Sequence, residues 1–213
     1  GIETVALTLS GTTNDFDVTA TSATSMTIAG TGSATINNLD TATTDSLTSI
    51  DASSNSGAVT ITTGQQDTGS TTDLSVTGGS GNDTIDVSAH TNSDVSVDGG
   101  AGNDTLKGGA GDDTLVGGTG DDYGYGEGGL NVFIHELGDG SDVLYENLGA
   151  LSSVEMQGAN ADDLYFSLNG DHLVATNITN GDSVTMMWQY YYSNNSTMKR
   201  HATIPNHKNF KWM

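Results

Sequence analysis

Nine residues recur through the middle of this chain. From Gly99 it reads GGAGNDTLK, GGAGDDTLV, GGTGDDYGY and GEGGLNVFI, ending at Ile134, and an earlier copy, GGSGNDTID, spans Gly78–Asp86. Paired glycines turn the backbone tightly, through positive φ where required and without a Cβ clash. An Asp two residues after the third Gly can fold its carboxylate back over that turn, where carbonyl oxygens also point. Ile85, Leu106 and Leu115 each stand in the middle of a three-residue strand. One apolar residue in nine is too few for a core within any single copy. Stacked copies instead give an apolar ladder inside and rows of carboxylates outside. Two frames depart from the pattern. The third puts Gly124 at the apolar eighth position; the fourth has Glu127 for its second Gly and Asn131 for its Asp, but regains an apolar residue in Phe133.

The rows of carboxylates repel one another. Between Gly78 and Gly129 ten acidic residues stand against one base, Lys107. A hard divalent cation held by carboxylates and backbone carbonyls cancels that repulsion and joins successive turns. Calcium suits the position better than magnesium, because it accepts about 6–8 oxygens in loose geometry and tolerates carbonyl ligands. Zinc is disfavoured, since there is no Cys and the five His are scattered. A flexible Gly/Asp linker would not keep an apolar residue in phase with its Asp.

On GGSGNDTID at Gly78–Asp86 and GGAGNDTLKGGAGDDTLVGGTGDD at Gly99–Asp122, the chain resembles the RTX (repeats-in-toxin, haemolysin-type calcium-binding) family. The resemblance implies a parallel β-roll in which six glycine-rich residues turn and bind calcium and three form a strand. It implies carboxylate ligands at Asp83, Asp104, Asp113 and Asp122. It implies carbonyl ligands at Gly79, Gly81, Gly100, Gly102, Gly109, Gly111, Gly118 and Gly120. Family geometry places each ion between turns 18 residues apart, which Asp104 and Asp122 satisfy. Asp113 then faces Asn131, a neutral donor, and that site is expected to be weaker. Asp83 and Asp104 are 21 apart, so Val87–Asp98 must bulge if they share an ion.

The flanks differ in composition. In residues 1–77, 32 are Ser or Thr and none is Lys or Arg. Short period-two patches recur there, among them Val5–Leu9, Met26–Ile28, Ala34–Ile36, Val59–Ile61 and Leu74–Val76, separated by Gly, Asn, Asp or Ser. Such strands suit a sandwich or a coil of parallel rungs, and rungs are favoured because they continue the inner ladder of the roll. Ser46–Gly64, SLTSIDASSNSGAVTITTG, is similar to segments of RTX-bearing bacterial surface-layer proteins of the Caulobacter type. After Ile134 the aromatics gather, and alternating strands with turns at Asn169-Gly170 and Asn180-Gly181 resemble the domain that often follows the repeats. There Trp188 and Tyr190–Tyr192 are expected to cover the open end of the coil, and Asp139 and Asp142 are candidates for one more calcium. The expectation is thus an all-β chain, a parallel β-roll or β-helix solenoid. It divides into a Thr/Ser-rich solenoid (1–77), the calcium-binding roll (78–134), a β-rich cap (135–192) and a basic tail (193–213) to which no function is given.

A formal net charge of −22 argues against nucleic-acid binding and against docking on anionic membranes. No apolar run reaches the length of a spanning helix. His135-Glu136 opens an HExxH motif that Asp139 breaks, and no nucleophile elbow or phosphate loop is present, so no enzyme activity is expected. The chain starts on Gly1 inside a strand-like run and is read as part of something longer, with no N-terminal signal peptide. The family resemblance implies type I secretion, folding on calcium outside the cell, and placement at the bacterial surface. A surface-layer or other structural protein is favoured, with self-assembly into a lattice and contact with cell-surface polysaccharide as possible partnerships. The alternatives are a calcium-dependent secretion and folding module of a larger RTX enzyme or toxin, and a glycan-binding adhesin.

Overall fold

The computed structural model describes residues 4–11, 14–19, 23–40, 47–64, 71–146, 152–169 and 172–188. Its strands are β1 (Thr4–Leu9), β2 (Asn14–Thr19), β3 (Ser25–Gly30), β4 (Ala34–Asp40), β5 (Ser49–Asn55), β6 (Val59–Thr63), β7 (Leu74–Thr77), β8 (Thr84–Asp86) and β9 (Val95–Ala101). They continue with β10 (Thr105–Lys107), β11 (Thr114–Thr119), β12 (Tyr123–Tyr125), β13 (Val132–Glu136), β14 (Ser141–Glu146), β15 (Ser153–Gln157), β16 (Leu164–Asn169), β17 (His172–Asn177) and β18 (Ser183–Trp188). A single turn of 3₁₀ helix, Ala161–Asp163, precedes β16. Odd-numbered strands from β1 to β15 lie side by side in one sheet, and even-numbered strands from β2 to β14 in the other. All of those pairs are parallel. The chain is therefore a β-solenoid with two strands to each coil, and the expected rungs are present. Among the described residues no helix is long and apolar enough to cross a membrane.

The period-two patches become the two walls of one narrow core. In-register pairing stacks Val5, Met26, Ile50, Val76, Val97, Leu115, Phe133 and Val154 along the odd-numbered sheet. Ile36, Ile61, Ile85, Leu106, Gly124, Leu144 and Met186 stack along the other. Most of these side chains are fully buried, and each fully buried one contributes roughly 1.5–3 kcal/mol of apolar burial. Both ladders pass from the Ser/Thr-rich rungs into the glycine-rich coils without a break. Outward positions carry hydroxyls in the first part. Further on they carry the Lys107–Asp86 ion pair (2.9 Å) and the stacked rings of Tyr125 and Tyr145, 4.6 Å apart.

Gly124 at an apolar ladder position has a packing cause. A Cβ there would come within 2.9 Å of Phe133 Cε1 and 3.0 Å of Leu144 Cδ2. The larger Phe133 ring from the facing wall fills the space that Leu occupies in the neighbouring coils. The long interval between Asp83 and Asp104 is absorbed as anticipated, within 87–98. Residues 87–94 form a wider turn in which the His90 N–H donates to Val87 O (2.9 Å), while β8 and β10 stay in register.

At the far end the even-numbered sheet runs on past the last coil. β18 joins β14 in parallel, β17 and β16 then follow antiparallel, and the hairpin turns fall at Asn169↔His172 and around Gly181 (φ +91°). The side chain of Trp188, the residues Tyr190–Tyr192 and the basic tail lie outside the described residues, and with them the expected aromatic cap.

The Gly124–Phe133 exchange is testable by a double-mutant cycle in calcium. Gly124→Leu alone is expected to overpack the core and cost about 1–3 kcal/mol, and Phe133→Leu alone to leave space over Gly124. Together they should recover more than half of the summed loss in urea unfolding. Additive losses would show that the two positions do not share one volume.

Candidate metal centre

The glycine-rich turns stack into two columns, one at each edge of the coil. One column contains turns 78–83, 99–104, 117–122 and 137–142; the other contains 108–113 and 126–131. Stacking is close enough that side chains cannot enter. A Cβ on Gly100 would collide with Gly79 O, on Gly118 with Gly100 O, on Gly102 with Gly81 O, and on Gly120 with Gly102 O. Gly100, Gly102, Gly118 and Gly120 also have positive φ. Gly79, Gly81, Gly109 and Gly111 do not, and are required there by the close approach alone. At the second position of the fourth frame Glu127 keeps a positive φ (+64°) despite its side chain.

Within the first column the carboxylates are wired to one another through backbone. Asp104 Oδ1 accepts the Asp83 N–H (2.7 Å), Asp122 Oδ1 accepts the Asp104 N–H (2.7 Å), and Asp142 Oδ1 accepts the Asp122 N–H (3.0 Å). Asp83 closes the row on the Val59 N–H (2.7 Å) and its own turn's Gly79 N–H (2.6 Å). In the second column Asn131 Oδ1 accepts the Asp113 N–H (2.9 Å), and Asp113 accepts from Val95 N–H (2.9 Å) and Gly109 N–H (2.7 Å). The first Gly of each frame leaves room for the second carboxylate oxygen. A Cβ on Gly99, Gly108 or Gly117 would overlap Asp104, Asp113 or Asp122 Oδ2.

Asp83, Asp104, Asp113, Asp122 and Asn131 are thus brought into adjacent turns, each at most 3 % exposed. The candidate carbonyls of the first column, those of Gly79, Gly81, Gly100, Gly102, Gly118 and Gly120, line its stacked turns. In the second column Gly109 and Gly111 follow His90 and Ser93. Gly79 O and Gly109 O additionally accept the N–H groups of Ala101 and Gly128 (both 2.9 Å).

A second ladder was not singled out from the sequence. The residue at the fifth position of each frame points the other way along the coil. Asn82 Oδ1 accepts the Asn103 N–H (3.0 Å), Asn103 Oδ1 the Asp121 N–H (3.1 Å), and Asp121 Oδ1 the Ser141 N–H (2.9 Å). Asp94 and Asp112 do the same for Asp112 and Leu130. The signal was the Asn or Asp preceding every sixth-position Asp. These side chains are exposed and serve the backbone of the turn.

Burial makes the inner row costly when charged. It pushes the Asp104 and Asp122 carboxyls up to about 7, with one N–H donor each pulling down and neighbouring carboxylates pushing further up. Asp113, with two N–H donors, is raised to about 6, and Asp83, also with two, is raised. The Oδ2 atoms of Asp104 and Asp122 are buried without a hydrogen-bond partner. Orphaned anionic oxygens between turns lined with carbonyls are the donor set a calcium ion takes. Among the described residues no three acidic or His side chains gather round one point. An ion held between these turns would have to take most of its oxygens from backbone, which suits calcium and disfavours zinc. When bound, the ion supplies the positive charge that lets neighbouring carboxylates ionise together. The chain itself holds each carboxylate in place and excludes water from it.

The first column ends on a different arrangement. Asp142 Oδ2 contacts His135 Nδ1 at 2.7 Å, and Asp139 Oδ2 accepts the Glu136 N–H (2.6 Å). Burial alone would lower the His135 pKa, but the Asp142 hydrogen bond and charge outweigh it and hold the imidazole above its ordinary value. Both carboxylates considered for one more calcium thus have partners within the chain.

No curated protein matches the chain. Residues 75–90 and 98–133 match the RTX calcium-binding nonapeptide repeat in four copies. With its glycine turns stacked, its acids in row and its ladder unbroken, this stretch of the chain belongs to the RTX family of calcium-binding repeats.

Proposed function

We propose that this chain is part of an extracellular structural protein of the bacterial surface, exported by type I secretion and folded by calcium outside the cell, where copies assemble side by side. Residues 1–77, 78–134 and 135–192 then act as a hydroxyl-rich wall, a calcium-binding roll and a cap of one rod. The observation that carries this reading is the continuity of both apolar ladders from the roll into the Ser/Thr-rich rungs. Calcium that closes coils 78–134 presents a finished edge on which the metal-free rungs can pair. The rungs offer long outward rows of hydroxyls, suited to contacts between neighbouring rods or with polysaccharide, and the protein is read as structural, with no catalytic role. Purified protein in millimolar calcium is expected to form ordered arrays in electron microscopy. Monodisperse rods at the same concentration would favour the alternative, a folding and secretion module of a larger exported protein.

Folding itself is expected to depend on calcium. Circular dichroism at pH 7.5 should show a coil-to-β transition on titration, and Asp104→Asn or Asp122→Asn should move its midpoint about tenfold or more to higher calcium. A metal-free chain already fully β-structured at that pH would remove calcium as the cause of folding.

Protons and calcium compete for the same oxygens, so pH acts with opposite signs in the two states. Asp104, Asp113 and Asp122 hold protons in the folded chain up to pH about 6–7, whereas in the unfolded chain they release them near pH 4. The metal-free coil therefore binds more protons than the unfolded chain between those limits, and its stability falls as pH rises through that window. Calcium needs the ionised form, so its affinity should fall as pH drops from 7.5 to 5. Metal-free protein is expected to show more β-structure at pH 5 than at pH 7.5, and the fraction already folded to release protons on calorimetric calcium binding near pH 6.5. Greater metal-free stability at pH 7.5 would reverse the assignment.

A further inference from the structure

The fourth frame lacks the sixth-position Asp. Its replacement, Asn131, uses Oδ1 to accept the Asp113 N–H and donates from Nδ2 to Gly128 O (3.1 Å). The network fixes the amide so that a donor, unable to ligate a cation, stands where Asp104 and Asp122 place an anionic oxygen. Another carboxylate occupies that space. A Cβ on Gly126, the first residue of this frame, would overlap both Asn131 Nδ2 and Glu146 Oε1. In the three preceding frames the atom in the equivalent place is Oδ2 of the frame's own Asp.

Glu146 is the last residue of β14 and comes from the following coil, at the point where the chain enters its next turn. Earlier frames begin that turn with Gly. Here a Glu replaces it and directs its side chain back into the turn below. Both its carboxylate oxygens are buried, and neither makes a hydrogen bond of good geometry. Asn131 and Ser152 lie within loose hydrogen-bonding reach of it, and the charges of Asp113 and Glu127 act against it. A buried carboxylate with only loose donors, next to a second buried acid, is unfavourable unless a cation or a proton is shared between them.

We propose that Glu146 is a calcium ligand supplied in place of the absent sixth-position Asp, so that turn 126–131, beside Asp113, holds an ion as the first column does. This rests on the calcium reading of the roll but assigns a residue outside the repeats, and it reverses the expectation that the Asn131 site is weak. The experiment is calcium titration of the full chain by calorimetry, with terbium luminescence as a second probe. Glu146→Gln should remove one ion or weaken one class of sites about tenfold or more. Adding Asn131→Asp to that variant should restore it, since the carboxylate returns from the frame's own residue. Asn131→Asp alone should leave the number of ions unchanged, which also decides the matter if Glu146→Gln fails to fold. The proposal is overturned if Glu146→Gln binds calcium as the parent does, as a protonated Glu146 would predict. It is overturned too if Asn131→Asp fails to rescue, or if Asn131→Asp alone adds an ion. Asp104→Asn serves as control: unchanged binding there as well would overturn the calcium reading of the roll itself.

Discussion

Carboxylates packed against backbone in a space too narrow for side chains set the terms for this molecule. Each inner Asp spends one oxygen on the N–H of the residue one coil back, which fixes the stagger of the coils. That stagger brings Ile61, Ile85 and Leu106 into one ladder. The second oxygen of Asp104 and of Asp122 is left buried without a partner. Hydrogen bonding and core packing therefore favour the same geometry, while electrostatics opposes it. A narrow two-walled core of single apolar residues has little surplus with which to overcome that opposition. The cation completes a structure whose other interactions are already consistent.

Burial drives the pKa displacement of the inner row, and backbone donors temper it. Asp113 receives two backbone N–H groups and rises less than Asp104 and Asp122, which receive one each. Asp104 and Asp122, a pair at the regular 18-residue spacing, each leave Oδ2 buried without a partner and so gain directly from a divalent charge. The irregular 21-residue interval costs nothing at the turn itself, because its extra residues go into 87–94 at the opposite edge of the coil. Register in a parallel stack is enforced locally at each ladder, so an insertion confined to one turn leaves the other column intact.

Much of this could be read from the chain because the period carries it. Glycine pairs, the Asp two residues later and an apolar residue at every eighth position specify turn, ligand and ladder together, and the Ser/Thr-rich patches announced rungs by strict alternation. Features that depend on contacts between non-equivalent coils could not be read this way. Gly124 departs from the period because Phe133 fills its place from the opposite wall. Asn82, Asn103 and Asp121 do not stand out in the repeat, although each caps the next coil. Glu146 lies outside the frames altogether, and no spacing rule connects it to Gly126, because a side chain folding back by one coil leaves no periodic trace.

The ends of the acid rows show the same constraint met without calcium. Gly32, Gly57, Gly81, Gly102, Gly120 and Gly140 form one continuous stack, each of the last five touching the backbone of the one before. In the Ser/Thr-rich rungs, where no inner Asp is present, buried Asn55 donates its amide to Gly32 O (3.2 Å) and Gly57 O (2.7 Å), carbonyls of successive coils. At the other end the His135 ring, its pKa raised by Asp142, stands against the last carboxylate of the row. An amide nitrogen before the metal column and an imidazole after it thus each place positive character against turn oxygens, as the ion does between them. Stacked turns of this kind require such a group wherever their oxygens converge. What changes along the coil is whether the chain provides it or the solution does.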